Sequence, residues 1–159
     1  MLQPTGKVRG LELALIASVL QRAREIIGDT ERWSNGPTNY DAERNYVGLQ
    51  STRAVRFTME GALYQAARER NIRRAYAVCA RTVLIECVRR PRSIREAFGK
   101  LNVHGSEMLS WCNTHHSHDE ILATFSRALQ KVNERGSGVW HFPPPPRKKR
   151  SEMKKFACA

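Results

Sequence analysis

The chain has 159 residues, of which 41% are hydrophobic, so one domain can bury a core without disulfides or metals. Its 27 lysines and arginines exceed its 15 aspartates and glutamates, a net charge of +12 that favours nucleic acid or an acidic protein as partner. This composition excludes global disorder, and no segment approaches the ~20 consecutive apolar residues of a membrane span.

The first predicted helix begins at residue 11, after a flexible leader at residues 1–10. Its apolar residues recur with the spacing of an amphipathic helix, and Gly28 ends it. Glu12 interrupts the apolar run and the pattern continues too far for a signal peptide. The residues expected on the buried face are Leu11, Leu15, Ile16, Val19, Leu20, Ala23, Ile26 and Ile27.

Residues 29–52 form a long segment rich in Asn, Gly, Pro and Thr, which predicts a loop. Loops of this length are packed by their own side chains or are functional. We expect Trp33, Tyr40 and Tyr46 to fold the loop back onto the helices, and a ligand-facing role for them is the less favoured alternative.

Two further helices are predicted over residues 52–70 and 72–89. Val55 and Met59 belong to the expected buried face of the second helix, and Ala75 to that of the third. Gly61 inside the second helix indicates a close approach to another helix, because an interior glycine costs about 1 kcal/mol relative to alanine. Pro91 ends the third helix.

Capping boxes open two later helices. Ser93 begins a short helix towards Leu101, and Ser117 begins the final helix, which Gly136 ends. A short helical turn is predicted at residues 106–111. The chain is therefore predicted to be all-α, a single-domain bundle of about five helices at residues 11–138.

The tail at residues 139–159 is rich in proline and basic residues. Four prolines precede four basic residues, which predicts polyproline II followed by a disordered coil.

Three segments carry recognisable motifs. Residues 22–33 run from the first helix into the loop and end in Trp33. Residues 55–63 are similar to an aromatic-Cys-x-x-Gly-Ala-Leu element. Residues 111–121 are similar to Trp-Asn-Asp followed by Thr-His-x-Glu-Val. Together they resemble an uncharacterised family of short helical proteins found in bacteria and their phages.

The resemblance covers about residues 16–134 and implies an all-helical fold in a prokaryotic or mobile-element setting, with no activity to transfer. Thr58 stands where the family usually has Cys, and Cys112 and Asn113 stand where it has Asn and Asp. If these polar positions form a site, this chain has altered it.

Thiol and imidazole donors cluster within seven residues, and these are candidate zinc ligands. They are Cys112, His115, His116 and His118. Their spacing is wrong for the common structural zinc patterns, and His118 follows a helix cap, which is an ordinary position for it. We therefore expect no cofactor, with zinc as the alternative.

Two interpretations remain for the residues around this cluster. Trp111, Asn113 and His118 could line a cleft with Trp33. Alternatively, Trp111 packs in the core and Asn113 caps a turn, which we favour.

The positive charge is concentrated in two segments. Nine arginines and two glutamates fall within residues 68–95, and residues 143–159 hold six basic residues and one acid. Such segments either bind phosphates or form a solvated face that maintains solubility. The candidate nucleic-acid-binding residues are Arg70, Arg73, Arg74, Arg81, Arg89, Arg90, Arg147, Lys148, Lys149 and Arg150.

The sequence therefore predicts a non-catalytic accessory protein that binds nucleic acid. The alternatives are an interaction module for an acidic protein and, third, a small metal-dependent enzyme. The four cysteines show no disulfide framework, and free core thiols suit the reducing cytoplasm.

Overall fold

The computed structural model describes residues 7–8, 10–90, 105–136 and 140–141. Five α-helices lie within these residues, and they confirm the all-α prediction. They are α1 (Gly10–Gly28), α2 (Met59–Glu69), α3 (Arg74–Cys87), α4 (Ser106–His115) and α5 (His118–Glu134). The helix predicted from Ser93 and the basic tail beyond His141 lie outside the described residues.

Helix α1 lies at the centre of the bundle and packs against α2, α3 and α5. Helices α2 and α3 pack on each other, α3 also contacts α5, and α4 packs on α2. Among the described residues, no helix is both long and apolar enough to cross a membrane.

The predicted buried face of α1 is confirmed from Ile16 onward and wrong at its start. Leu11 is 76% exposed, whereas Leu13 is buried. Leu13 lies three residues before Ile16 and shares its face, because about 3.6 residues complete one turn. Leu11 is rotated away from that face.

Helix α2 begins seven residues later than predicted. The Thr58 hydroxyl caps its N-terminus by accepting a hydrogen bond from the Gly61 N–H at 3.1 Å. This is the usual role of threonine at this position. The preceding residues are extended, so Val55 is 45% exposed rather than part of a helical core face.

The other helix boundaries differ from prediction by smaller amounts. Helix α3 is shorter than residues 72–89, and Ala75 on it is exposed, contrary to expectation. Helix α4 extends well beyond residue 111. The cap of α5 is confirmed, because Ser117 accepts a hydrogen bond from the Glu120 N–H at 3.2 Å.

Two short antiparallel strand pairs complete the structure. Strand β1 (Lys7–Val8) pairs with β4 (Trp140–His141), so the predicted leader and tail each contribute a strand that the sequence did not predict. Strand β2 (Asn39–Tyr40) pairs with β3 (Tyr46–Val47) to form a hairpin inside the long loop.

The long loop is packed as predicted at Trp33, which lies against the core. Backbone bridges join Trp33 to Phe57 and Tyr40 to Arg56, so the loop pairs with the segment leading into α2. Tyr46 does not pack inward as expected, since it is 73% exposed.

Candidate nucleic-acid interface

The corner between α2 and α3 gathers exposed arginines. Arg70 is the C-cap of α2, Arg73 is the N-cap of α3, and Arg74 begins α3. Asn71 between them has a positive φ of 51°, a left-handed conformation that asparagine adopts more readily than most residues. This single residue turns the chain and brings the ends of two helices together. With Arg68, these arginines form the α2–α3 corner, and all four are exposed.

A pocket of about 270 Å³ lies against this corner. Arg68 and Arg74 line it, together with Gln50 from the long loop and Tyr64 from α2. The Arg74 guanidinium lies 5.5 Å from the centroid of the Tyr64 ring, which holds the cation over an aromatic face. None of the described residues that line the pocket is acidic. The pocket therefore presents two guanidinium groups and suits an anion.

Glu69 lies within the same corner, but its charge is engaged elsewhere. Its carboxylate accepts hydrogen bonds from Arg22 Nε at 2.6 Å and from Gln65 Nε2 at 2.9 Å. Burial raises the pKa of Glu69, but the hydrogen bonds from Gln65 and Arg22 outweigh it and hold the pKa below its ordinary value. Glu69 is thus an ionised partner of Arg22.

Arg81 does not belong to the predicted basic face. Its Nη1 lies 2.9 Å from Glu60 Oε1, and Glu60 is only 5% exposed. Ser106 Oγ donates to the same oxygen at 3.0 Å. These contacts join α3, α2 and α4, so Arg81 has a structural role inside the bundle.

Arg89 and Arg90 lie beyond the C-terminal end of α3, whereas Arg73 and Arg74 lie at its N-terminal end. Helix α3 has 14 residues, which at 1.5 Å per residue separates its ends by about 20 Å. Arg90 Nη2 also lies 3.5 Å from the Ile85 carbonyl oxygen. The predicted continuous face is therefore divided into two clusters. The tail residues Arg147, Lys148, Lys149 and Arg150 lie outside the described residues.

The four candidate zinc ligands do not converge. Cys112 Sγ lies 3.2 Å from His116 Nδ1, whereas His115 Nδ1 contacts the Trp111 carbonyl oxygen. His118 stacks on Trp33, and its Nε2 donates to the Ile27 carbonyl at 2.6 Å. The described residues contain no group of three or more Cys, His, Asp or Glu arranged to hold a metal.

The chemistry of Cys112 also disfavours metal binding. Burial raises the pKa of the Cys112 thiol to about 12. Zinc binds the thiolate, so a raised pKa weakens this residue as a ligand. Burial similarly raises the pKa of Cys79 and Cys87 on α3, and all three are free thiols.

Asn113 connects the loop to the helices instead of capping a turn of its own. Its side chain is fully buried, and Oδ1 accepts from Trp33 Nε1 at 3.3 Å and from the Met59 N–H at 3.1 Å. Its Nδ2 donates to the carbonyl oxygens of Ser34 at 2.5 Å and Gly36 at 2.9 Å. Trp33, Asn113 and His118 do come together, but as packed structure.

A cleft of about 470 Å³ opens between α4, the N-terminus of α2 and the long loop. Trp111 forms part of its wall and stacks on His115, with ring centroids 5.1 Å apart. Glu60 and Ser106 also line this cleft, but both are already engaged with Arg81. The cleft thus offers an aromatic wall, and the polar residues Glu107 and Ser110 also line it.

Sequence reasoning missed the loop residues that lie near the arginine pocket of the α2–α3 corner. Gln50 lines the pocket, and the buried carboxylate of Asp41 organises the hairpin next to it. The signal for Asp41 was present, because an aspartate that accepts from nearby backbone N–H groups is a common turn former. Nothing local pointed to Gln50.

These features define a class: a small all-helical protein with a loop anchored on its core and arginines gathered at one helix corner. The chain belongs to a family of unknown function (DUF6197), whose family model matches residues 12–131. This confirms membership of an uncharacterised family. No curated protein and no solved structure matches the chain.

Proposed function

We propose that the protein is a non-catalytic nucleic-acid-binding protein that holds the phosphate backbone at the α2–α3 corner. The observation that carries this proposal is the pocket lined by Arg68 and Arg74, with no acidic residue among its described lining. Guanidinium groups match phosphate geometry and form charge-assisted hydrogen bonds.

The corner is also electrostatically suited to a polyanion. The one acid inside it, Glu69, is paired with Arg22. Arg70 lies near the Glu25 carboxylate, so the corner faces solvent mainly through Arg68, Arg73 and Arg74. The net charge of +12 would draw a polyanion to the surface. Arg147, Lys148, Lys149 and Arg150 would add attraction as a basic arm.

Phosphate contacts position a protein without reading sequence, so binding is expected to be weakly sequence-selective. Arg81 is left out of the proposal because Glu60 neutralises it, and Arg89 and Arg90 form a separate cluster beyond the far end of α3. A cytoplasmic location in a bacterium or phage-infected cell belongs to the same proposal.

The test is a fluorescence-anisotropy titration of labelled DNA and RNA oligonucleotides with the full chain. Substituting Arg68→Gln together with Arg74→Gln should weaken binding roughly tenfold or more, since two charge-assisted contacts are lost. Both side chains are exposed, so the fold should be unaffected.

The control of equal charge is Lys131→Gln with Arg135→Gln at the end of α5, which removes the same charge from another element. Lys131 is paired with Glu86, so circular dichroism checks that this variant keeps its fold. This control should retain most of the affinity. Equal losses in both variants would indicate a general charge effect, and no binding by the wild-type chain would contradict the proposal. In that case an acidic protein becomes the expected partner of the corner.

A further inference from the structure

We infer that the preferred ligand is a single-stranded nucleic acid, one of whose unpaired bases stacks on Tyr46. The inference rests on the proposed function and specifies its ligand class. It is carried by the exposure of Tyr46, the rigidity of its hairpin and the position of that hairpin beside the arginine pocket.

Tyr46 is one of three large hydrophobic residues that are exposed among the described residues. It is 73% exposed, although it belongs to strand β3, whereas Trp33 of the same loop packs against the core. The Tyr46 ring lies against the Tyr40 ring, at a centroid distance of 5.1 Å and an angle of 42°, and a hydrogen bond joins the two side chains. Because Tyr46 is nevertheless largely exposed, its ring is available to a flat partner.

The hairpin that carries Tyr46 is held in one conformation. Asp41 is buried at its turn, and its carboxylate accepts from the N–H groups of Glu43 at 3.1 Å and Asn45 at 2.8 Å. Arg53 Nη2 lies 2.6 Å from the other carboxylate oxygen. Because the turn is fixed from several sides, little conformational freedom is lost when a base stacks on Tyr46.

The hairpin leads directly into the wall of the arginine pocket. Gly48 follows β3 and begins a turn, closed by a hydrogen bond from the Ser51 N–H. The Ser51 carbonyl oxygen lies 3.5 Å from Arg68 Nη2, and Gln50 lines the pocket. Five residues span at most about 17 Å, so Tyr46 lies within reach of a short oligonucleotide bound at Arg68.

An exposed tyrosine discriminates between single and double strands. Bases in a duplex are paired and stacked on each other, whereas an unpaired base can be turned outward onto an aromatic ring. Arginines that hold the backbone and an aromatic that stacks a base are the combination found in single-strand binding surfaces. We therefore expect single strands to bind more tightly than the same sequence as a duplex.

The experiment compares the full-length wild-type chain with Tyr46→Ala and Tyr46→Phe by anisotropy. The probes are a labelled 12-nucleotide single strand of mixed sequence and the corresponding duplex, as DNA and as RNA. Base stacking on an aromatic residue contributes enough that Tyr46→Ala should weaken single-strand binding roughly 5- to 100-fold. Tyr46→Phe keeps the ring and should bind nearly as wild type, and duplex binding should be unchanged by either.

Leu11→Ala is the matched control, because Leu11 is another large apolar side chain exposed on the surface, 76%, and lies on α1. Wild-type affinity in Tyr46→Ala, or an equal loss for duplex and single strand, would overturn the inference. If Arg68→Gln with Arg74→Gln still weakened binding in that case, the proposed function would stand and only the single-strand assignment would fail. No binding by the wild-type chain would overturn both. Circular dichroism of Tyr46→Ala checks that the fold is retained.

Discussion

At the scale of single residues, Asn113 and Asp41 each make four side-chain hydrogen bonds, and those of Asn113 connect separate elements. Of its four bonds, Asn113 accepts two and donates two, and its partners lie in the long loop and at the start of α2. A buried amide with every bond satisfied fixes its neighbours, because each partner would otherwise be buried without one. Asn113 thus holds the loop and the N-terminus of α2 against α4.

Replacing Asn113 with alanine should therefore destabilise the fold strongly. Two N–H donors and two carbonyl oxygens would lose their partner, and each unsatisfied buried group costs about 1–3 kcal/mol. We expect a loss of at least about 3 kcal/mol in the free energy of unfolding, measured by urea denaturation. Asn133→Ala, at an exposed position of α5, is the control. A loss below about 1 kcal/mol would show that water replaces the lost contacts.

Gly61 provides a second residue-scale prediction. A Cβ atom there would overlap the side-chain amide of Asn39, which is fully buried and accepts from the Thr58 N–H. Gly61→Ala should destabilise by about 2 kcal/mol, even though alanine favours a helix by about 1 kcal/mol. Gly28→Ala, with no atom within 4 Å of the new Cβ, should be neutral or stabilising. Equal thermal shifts in the two variants would contradict this explanation.

The surroundings of Gly61 also show which contacts of a residue can be predicted from the sequence and which cannot. The sequence correctly suggested that something approaches Gly61 closely, but the neighbour is Asn39 from the loop and not another helix. The same holds for Asn113, whose partners lie tens of residues away along the chain. Local patterns carry no information on such pairings, because they depend on how the helices are assembled.

At the scale of elements, the contact of Arg81 with Glu60 joins α3 to α2, and Ser106 brings in α4. Removing one partner of a buried ion pair leaves the other charge without compensation. The side chain of Glu60 is 6% exposed and that of Arg81 is 27% exposed, so the penalty falls mainly on an unpaired Glu60.

Arg81→Met should consequently lower stability by about 2–3 kcal/mol, less than for a fully buried pair because Arg81 is partly solvated. Combining it with Glu60→Gln should recover part of the loss, since the uncompensated charge is then removed. Arg74→Met, at an exposed position of the same helix, should change stability by about 0.5 kcal/mol or less. Equal effects of Arg81→Met and Arg74→Met would contradict a structural role for Arg81.

The hairpin should respond to acid through Asp41. The hydrogen bond from Arg53, supported by bonds from Asn45, holds the pKa of Asp41 below its ordinary value. The ionised form is thus favoured by folding. Its contribution is complete above the ordinary aspartate range near pH 4 and is lost as the pH falls through the lowered pKa.

Asp41→Asn should accordingly make the protein less stable at neutral pH but less sensitive to acid. Thermal unfolding between about pH 6 and about pH 3 measures this, because the difference between wild type and variant should shrink on acidification. Glu43→Gln, an exposed carboxylate in the same hairpin, is the control and should keep the wild-type pH profile. A constant difference across this range would show that Asp41 acts by packing alone.

The helices with the strongest local sequence signals were the ones that could be predicted best. The periodicity of α1 and the serine cap of α5 identified both helices closely. The start of α2 was predicted too early, because Val55 continues the apolar spacing although the chain there pairs with Tyr40 in extended form. The candidate site was partly predictable: the arginines of the corner were recognised, but their separation from Arg81 depends on the position of Glu60.

At the scale of the whole molecule, the question is whether the net charge of +12 acts as a diffuse field or through discrete contacts. A diffuse field weakens evenly with each charge removed, wherever that charge lies. Discrete phosphate contacts release counterions one by one, so each lost contact changes the salt dependence by a fixed amount. The salt dependence of binding therefore separates the two descriptions.

For a single strand, the logarithm of the binding constant should fall with the logarithm of salt concentration by about 0.7 per phosphate contacted. Arg68→Gln with Arg74→Gln should reduce that slope by about 1.4, and replacing Arg147, Lys148, Lys149 and Arg150 with Gln should reduce it by up to about 3. The two reductions should add when combined, because in the proposed complex the corner and the tail contact different phosphates. Lys131→Gln with Arg135→Gln removes as much charge as the corner variant, so an equal change in slope would show that net charge alone governs binding.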